Sequence, residues 1–158
     1  MGFIFENPHP QQKRVGDCVK RACTLASQIN YHDIAIMLNR FRKETGARRF
    51  NSDYNWRYFI EKVLLGCDLG NLQYANHGHR FTIEDFAHYR KSTAIVQASK
   101  HIVAVNGKGD YLDTWDSGYK SIYKAWGIPS YETIVAHIRA NYKKLCKGLT
   151  LARYERTF

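Results

Sequence analysis

The sequence predicts an α+β domain in which N-terminal helices pack against a C-terminal antiparallel sheet, followed by a basic C-terminal helix. The apolar spacing carries this expectation. Through about residues 17–91 apolar residues recur every three to four positions, as on one face of a helix. Over about 93–128 they give way to β-branched runs separated by turn residues, and helical spacing returns over about 130–147. Helices first and strands later is the order of a domain with segregated layers. With 158 residues, 44% of them apolar and 14% aromatic, the chain can bury one substantial core, so a single domain over 1–158 is expected.

Taken in order, residues 1–17 read as irregular and strand-poor, with Pro8 and Pro10 blocking a helix. "DCVKRACTLASQI" then places Val19, Ala22, Cys23, Ala26 and Ile29 on one helix face. Asp17 is the expected N-cap, which makes Cys18 the first helical residue. The second helix, "HDIAIMLNRFRKE", aligns Ile34, Met37, Leu38 and Phe41 and stops at Gly46. A third, "SDYNWRYFIEKVLLG", is capped by Ser52, ends at Gly66, and turns Trp56, Phe59, Ile60, Val63 and Leu64 inward. A short fourth opens at Thr82, which stands three residues before Asp85 at capping-box spacing. "TAIVQA" and "HIVAVN" read as strands, "GDYLDTW" follows the turn signal "NGKG", and "SGYKSIYKAWGI" adds one more. After Pro129 the last helix runs through Ile134, Ile138 and Leu145.

Twenty-four lysines and arginines against fourteen acidic residues give a formal charge of +10. Such a surface attracts polyanions or an acidic partner. The runs "RKETGARR" and "NYKKLCKGLTLARYER" read as exposed helix faces, and Tyr142 and Tyr154 among those charges offer stacking surfaces to nucleic-acid bases. No run approaches the roughly 20 apolar residues of a membrane span, and "MGFIFENPHP" lacks the pattern of an export signal. No membrane partner and a cytoplasmic setting are therefore expected. Cys18, Cys23, Cys67 and Cys146 are too sparse for a disulfide framework and read as free thiols. His77 and His79, taken with Cys67, fit no zinc spacing, and "GKG" at 107–109 reads as a hairpin turn, so neither metal nor cofactor is expected.

A cysteine that does chemistry needs a lowered pKa, a base, and donors for an oxyanion. Cys18 sits at a predicted helix N-terminus, where unpaired N–H groups and the helix dipole favour a thiolate. His101, opening the strand "HIVAVN", is the candidate base. Loop length decides which carboxylate reaches it. A three-residue loop at 107–109 sets Asn106 opposite Asp110 and Val103 opposite Asp113. Asp113 then lies diagonal to His101 on one face, Trp115 stands opposite His101, and Asp116 points away. A two-residue Asn-Gly loop shifts the parity and favours Asp110. Spacing leaves both open.

The residues Gln12, Gly16 and Cys18, followed by His101 and then "DTW" at 113–115, resemble the papain-like cysteine peptidases. That family carries a Q-x5-C pattern with a nearby glycine, the order Cys…His…Asn/Asp, and an Asn-Ser-Trp run. The chain is also similar to compact phage and bacterial members of the clan, where "DC" opens the helix and "DTWDS" closes the site. The likeness covers residues 12–29 and 101–117, and Val19 stands where those enzymes usually have tryptophan. It implies a papain-like fold and a thiol hydrolase that cleaves a peptide or isopeptide bond in a protein or peptide substrate. Cys18 would be the nucleophile, His101 the base and then the acid, and Asp113 the residue that holds the imidazole. The Gln12 amide and the Cys18 N–H would form the oxyanion hole, with Gly16, Trp115 and Asp116 in support. An amidase, deamidase or acyltransferase uses the same triad. The competing expectation is a non-catalytic basic protein that binds nucleic acid or an acidic partner.

Overall fold

The structure is a computed structural model that describes residues 2–14, 16–46, 53–70, 72 and 78–155. Its centre is a six-stranded sheet built from β1 (Gly2–Phe5), β2 (Cys67–Asp68), β3 (Ala94–Ala98), β4 (His101–Val105), β5 (Asp110–Asp113) and β6 (Ile122–Gly127), in the order β1-β5-β4-β3-β6-β2. Five α-helices accompany it among the described residues: α1 (Cys18–Ser27), α2 (Tyr31–Thr45), α3 (Asp53–Tyr58), α4 (Ile83–Tyr89) and α5 (Tyr131–Asn141). The fold class is α+β, and none of these helices is long and apolar enough to cross a membrane.

Two strands depart from the expected layout. The N-terminal segment begins as β1, which pairs in parallel with β5 from Gly2↔Asp110 to Phe5↔Asp113. The sheet is therefore mixed, and the first residues are not strand-poor. Pro8 and Pro10 exclude a helix but do not reach residues 2–5, and an edge strand with Phe3 and Phe5 exposed lacks a clean alternating signature. The two-residue β2, both residues exposed, pairs with Trp126 and Gly127 inside the region read as helical.

Helices cover both faces of the central strands, which is why β4 is buried at every residue. On one face Val19, Ala22 and Cys23 of α1, with residues of α2, α3 and α5, pack on Ile95, Ile102, Ala104 and Trp126. Trp56 meets Trp126 edge-on with ring centroids 5.5 Å apart. On the other face Ile83, Phe86 and Ala87 of α4 cover Val96, Val103, Val105 and Tyr111. Successive residues of β3, β4 and β6 thus feed two different clusters, as the pleat requires.

The helix ends follow local chemistry. Asn30 caps α2 by accepting from the Asp33 N–H at 2.9 Å, and Gly46 ends it at φ 74°. Thr82 caps α4 through the Asp85 N–H at 3.1 Å. The Asp17 side chain makes no cap bond to α1; its carboxylate is used elsewhere. Helix α3 passes into a π-type turn over Phe59–Val63 that stops near Gly66, where any Cβ would lie 2.5 Å from the Ile60 side chain. The expected cap Ser52 lies outside the described residues.

The last helix is shorter and less basic than expected. Helix α5 ends at Asn141, and Lys143, Lys144 and Lys147 lie in turns beyond it. The Arg40 guanidinium takes the carbonyls of Leu145 and Lys147 at 2.8 and 2.9 Å. That removes the need for helical partners there, while Leu145 still reaches the core.

Candidate active site

The β4–β5 hairpin resolves the question of parity. Val105 pairs with Tyr111 and Ala104 with Leu112, and the Asn106 N–H donates to the Asp110 carbonyl at 3.1 Å. The loop is therefore the three residues Gly107–Gly109, with both glycines at positive φ. Asp113 falls on the side of His101, and His101 Nε2 lies 2.6 Å from Asp113 Oδ2. Asp110 is instead held by the Asn106 amide at 3.0 Å.

Cys18 comes to the same place from the other direction. It opens α1, whose apolar face packs beneath β4, so the helix N-terminus points at the start of that strand. His101 is the first residue of β4, after the tight Ser99–Lys100 turn. The half-buried Cys18 thiol lies close enough to the His101 ring and the Ile102 backbone N–H for both to favour its thiolate. With Nε2 engaged by Asp113, Nδ1 is the nitrogen left for the sulfur.

The Asp113 carboxylate is buried and well supplied with donors. The Thr114 N–H reaches Oδ1 at 2.7 Å, the Ser117 hydroxyl reaches Oδ2 at 2.6 Å, and Arg21 lies 3.5 Å from Oδ1. Arg21 also donates to Asp17, and Asp17 accepts from the Tyr31 hydroxyl at 2.8 Å. A chain of buried polar groups thus runs Asp17–Arg21–Asp113–His101 and ends beside the half-buried Cys18.

The proton equilibria follow from these neighbours. Burial by itself raises the Cys18 thiol, but the bonds from His101 and Ile102, with the charges of His101 and Arg21, hold it below the usual thiol value. Burial alone would lower His101, but its bonds to Asp113 and Cys18 push it up to about 9. Burial likewise works to raise Asp113, and the bonds from His101, Ser117 and Thr114 carry it down. A lowered thiol against a raised imidazole favours a thiolate–imidazolium pair. Cys23, buried in the core one and a half turns along α1, is pushed well above the thiol range by desolvation.

Two clefts meet at this pair. One, of about 270 Å³, is lined by Cys18, Val19, Trp56, Ala98 and Ile102; the other, of about 330 Å³, by Arg14, Gly16, Cys18, Arg21 and Trp115. Lys100 and His101 belong to both. The Trp115 ring lies against the imidazole at a tilt of 37°, with centroids 4.9 Å apart; it comes from the bend after β5 and not from a ladder position opposite His101. A larger hollow of about 470 Å³ near Leu25, Val105 and Tyr154 includes neither Cys18 nor His101.

The expected oxyanion donor Gln12 and the expected supporting residue Asp116 stand apart. Gln12 lines neither cleft. Its backbone turns at φ 55°, and its amide donates to the carbonyls of Asn7 at 2.9 Å and His9 at 3.0 Å. Asp116 accepts from the Tyr111 hydroxyl and from the Gly118 N–H at 3.1 Å, and so braces the turn after Trp115. Sequence reasoning missed Arg21, Tyr31, Ser117 and the Ile102 N–H. The first had a signal: Arg21 follows Asp17 by four and Cys18 by three, on one side of a helix otherwise rich in small residues.

Among the described residues no cluster of three or more His, Cys, Asp or Glu could hold a metal ion, and His77 lies outside them. Compared with known proteins, the chain matches no family model, no curated protein and no solved structure.

Proposed function

We propose that the chain is a papain-like thiol hydrolase that cleaves a peptide or isopeptide bond through Cys18, His101 and Asp113. One observation carries the reading. The buried 2.6 Å contact of Asp113 with His101 Nε2 leaves the other ring nitrogen to a thiol that opens a helix. A sheet that carries His101 and Asp113, packed on the helix that carries Cys18, also supports the papain-like form of the fold.

In the forward reaction the Cys18 thiolate attacks the carbonyl carbon, and the carbonyl π electrons move to oxygen. The oxyanion faces the Cys18 N–H, which belongs to a first helical turn without i−4 carbonyl partners. Gln12 joins as a second donor only by giving up a bond to Asn7 or His9. The imidazolium then protonates the leaving nitrogen as the C–N bond breaks, and a thioester remains. Neutral His101 next takes a proton from water, which attacks the thioester. Collapse expels the thiolate, releases the acid and restores the ion pair. Asp113 holds the ring and stabilises its positive form throughout. An amine in place of water makes the same sequence an acyl transfer, and a side-chain amide as substrate makes it a deamidation. Free thiols suit a reducing, cytoplasmic compartment of a bacterial or host cell.

Iodoacetamide labelling at pH 6–7, mapped by mass spectrometry, tests the site. Cys18 is expected to react ahead of the more exposed Cys67, with the advantage lost in His101→Ala. Cleavage of a peptide library, absent in Cys18→Ala, tests the reaction. Labelling led by Cys67, together with steeply salt-dependent DNA binding, would instead make the chain a basic binding protein.

A further inference from the structure

The two clefts that meet at Cys18 differ in chemistry. The smaller is lined by Val19, Trp56, Ala98 and Ile102 together with the Gln97 amide and, among the described residues, holds no arginine. The larger carries Arg14 and Arg21, and Lys100 stands on the boundary of both. Among the described residues no aspartate or glutamate lines either cleft. Arg21 is committed to Asp17 and Asp113. Arg14 leans over the Phe5 ring at 5.4 Å and meets no carboxylate among the described residues. Lys100 is exposed and enters no ion pair there.

The backbone at Lys100 gives an independent reason to single it out. It occupies the left-handed region at φ 53° in the two-residue turn that joins β3 to β4, immediately before His101. Glycine or asparagine is the ordinary occupant of such a position, and a lysine there holds strain. The strained residue thus places a cationic side chain on the lining of both clefts, one position from His101.

We infer that Lys100, with Arg14, seats a carboxylate of the substrate beside the scissile carbonyl, while the cleft without an arginine takes an uncharged side chain on its other side. The preferred substrate is then a polypeptide with an acidic group near the cut and an uncharged residue across it. This inference rests on the hydrolase reading, and one part of its test does not.

Lys100→Gly and Lys100→Asn both suit the turn and remove the charge. Cys18 is alkylated in parallel with anionic iodoacetate and neutral iodoacetamide, and the ratio of the two rates cancels changes in intrinsic thiol reactivity. Either variant is expected to lower that ratio about three- to tenfold at low salt, with the difference fading as salt rises. An unchanged ratio overturns the inference. In parallel, wild type is offered peptides with an internal glutamate and an amidated end, and peptides whose only carboxylate is the chain terminus. Selective cleavage of the first identifies a side-chain carboxylate as the group seated; selective cleavage of the second identifies a chain end. Cleavage without preference for either over a neutral peptide overturns the inference and leaves the hydrolase standing. A lowered ratio with no peptide cleaved by wild type retains the anion site and rejects the hydrolase.

Discussion

Replacing Arg21 by methionine separates what the buried charge network does for the fold from what it does for the thiol. The side chain is nearly inaccessible, with Arg21 at 6% exposure between Asp17 at 4% and Asp113 at 2%. Its loss falls unequally on the two acids. Asp113 keeps three donors, from His101, Ser117 and Thr114, and loses a contact of 3.5 Å. Asp17 loses a direct ion pair and keeps the Tyr31 hydroxyl. Breaking a buried pair from one side costs about 3–5 kcal/mol, because the partner stays behind as an uncompensated charge. Most of that cost is assigned to Asp17. The double change Asp17→Asn, Arg21→Met removes both charges and leaves a neutral amide beside Tyr31, so most of the loss returns.

Urea unfolding at pH 7, followed by tryptophan fluorescence, measures this. Arg21→Met is expected to lose about 3–5 kcal/mol, and the double variant to come within about 2 kcal/mol of wild type. The pH midpoint of Cys18 labelling is the second readout. Arg21 helps hold the thiol below its usual value, so the midpoint rises in both variants and is not restored in the double. A single-variant loss under about 1 kcal/mol, or a double that recovers nothing, would refute the assignment of Asp17 and Arg21 as one buried unit.

Three further outcomes follow from the same contacts. Asp113→Asn removes one of the two groups that raise His101 to about 9, the other being Cys18, so the alkaline limb of the cleavage rate is expected to fall by about one to three pH units, as a pH–rate profile would read. In a Cys18→Ala background Asp113 is the group left to raise His101 against burial, and the stability this contributes is present at low pH and lost as pH rises through the folded value. Denaturant midpoints should therefore drop on the alkaline side, and adding His101→Gln should flatten the slope. Gly107→Ala places a Cβ 2.6 Å from the Ser92 backbone at φ 76°, and is expected to cost about 1–3 kcal/mol in thermal or urea unfolding.

The hairpin shows why part of this site was legible in the sequence. Side chains alternate strictly along a strand, so one integer, the loop length, decides whether Asp110 or Asp113 reaches His101. The glycines at 107 and 109 supply the positive φ values that a three-residue loop uses. The opening of α1 was legible for a similar reason, because apolar spacing from Val19 to Ile29 fixes the helical register and leaves Cys18 as its first residue. What stayed hidden depends on contacts between distant segments. Nothing in "GFIF" says that it lies beside "DYLD", and Ser117 as a partner of Asp113 requires a turn with no hydrophobic period. Gln12 shows the limit of spacing itself. It stands six residues before Cys18, yet its amide is taken up by carbonyls of its own loop.

That hidden edge strand bears on the candidate chemistry. In β1 and just beyond it, Phe5 pairs with Asp113 and the Glu6 N–H donates to the Asp113 carbonyl at 3.0 Å. The backbone carrying Asp113 is thus held from outside by Phe5 and Glu6, while its carboxylate is held from inside by Ser117, Thr114 and Arg21. The Glu6 side chain in turn accepts from the Tyr154 hydroxyl at 2.6 Å, and the Tyr154 N–H donates to the Gln28 carbonyl, just past the end of α1. Cys18 opens α1 and Tyr154 holds its far end, so the helix that aims the thiol and the strand that aims the imidazole's partner are tied through one tyrosine. Bonds between elements this far apart in sequence need the strand and the helix to be placed by the tertiary fold. The geometry at His101 therefore belongs to the whole fold rather than to a loop that could assemble alone.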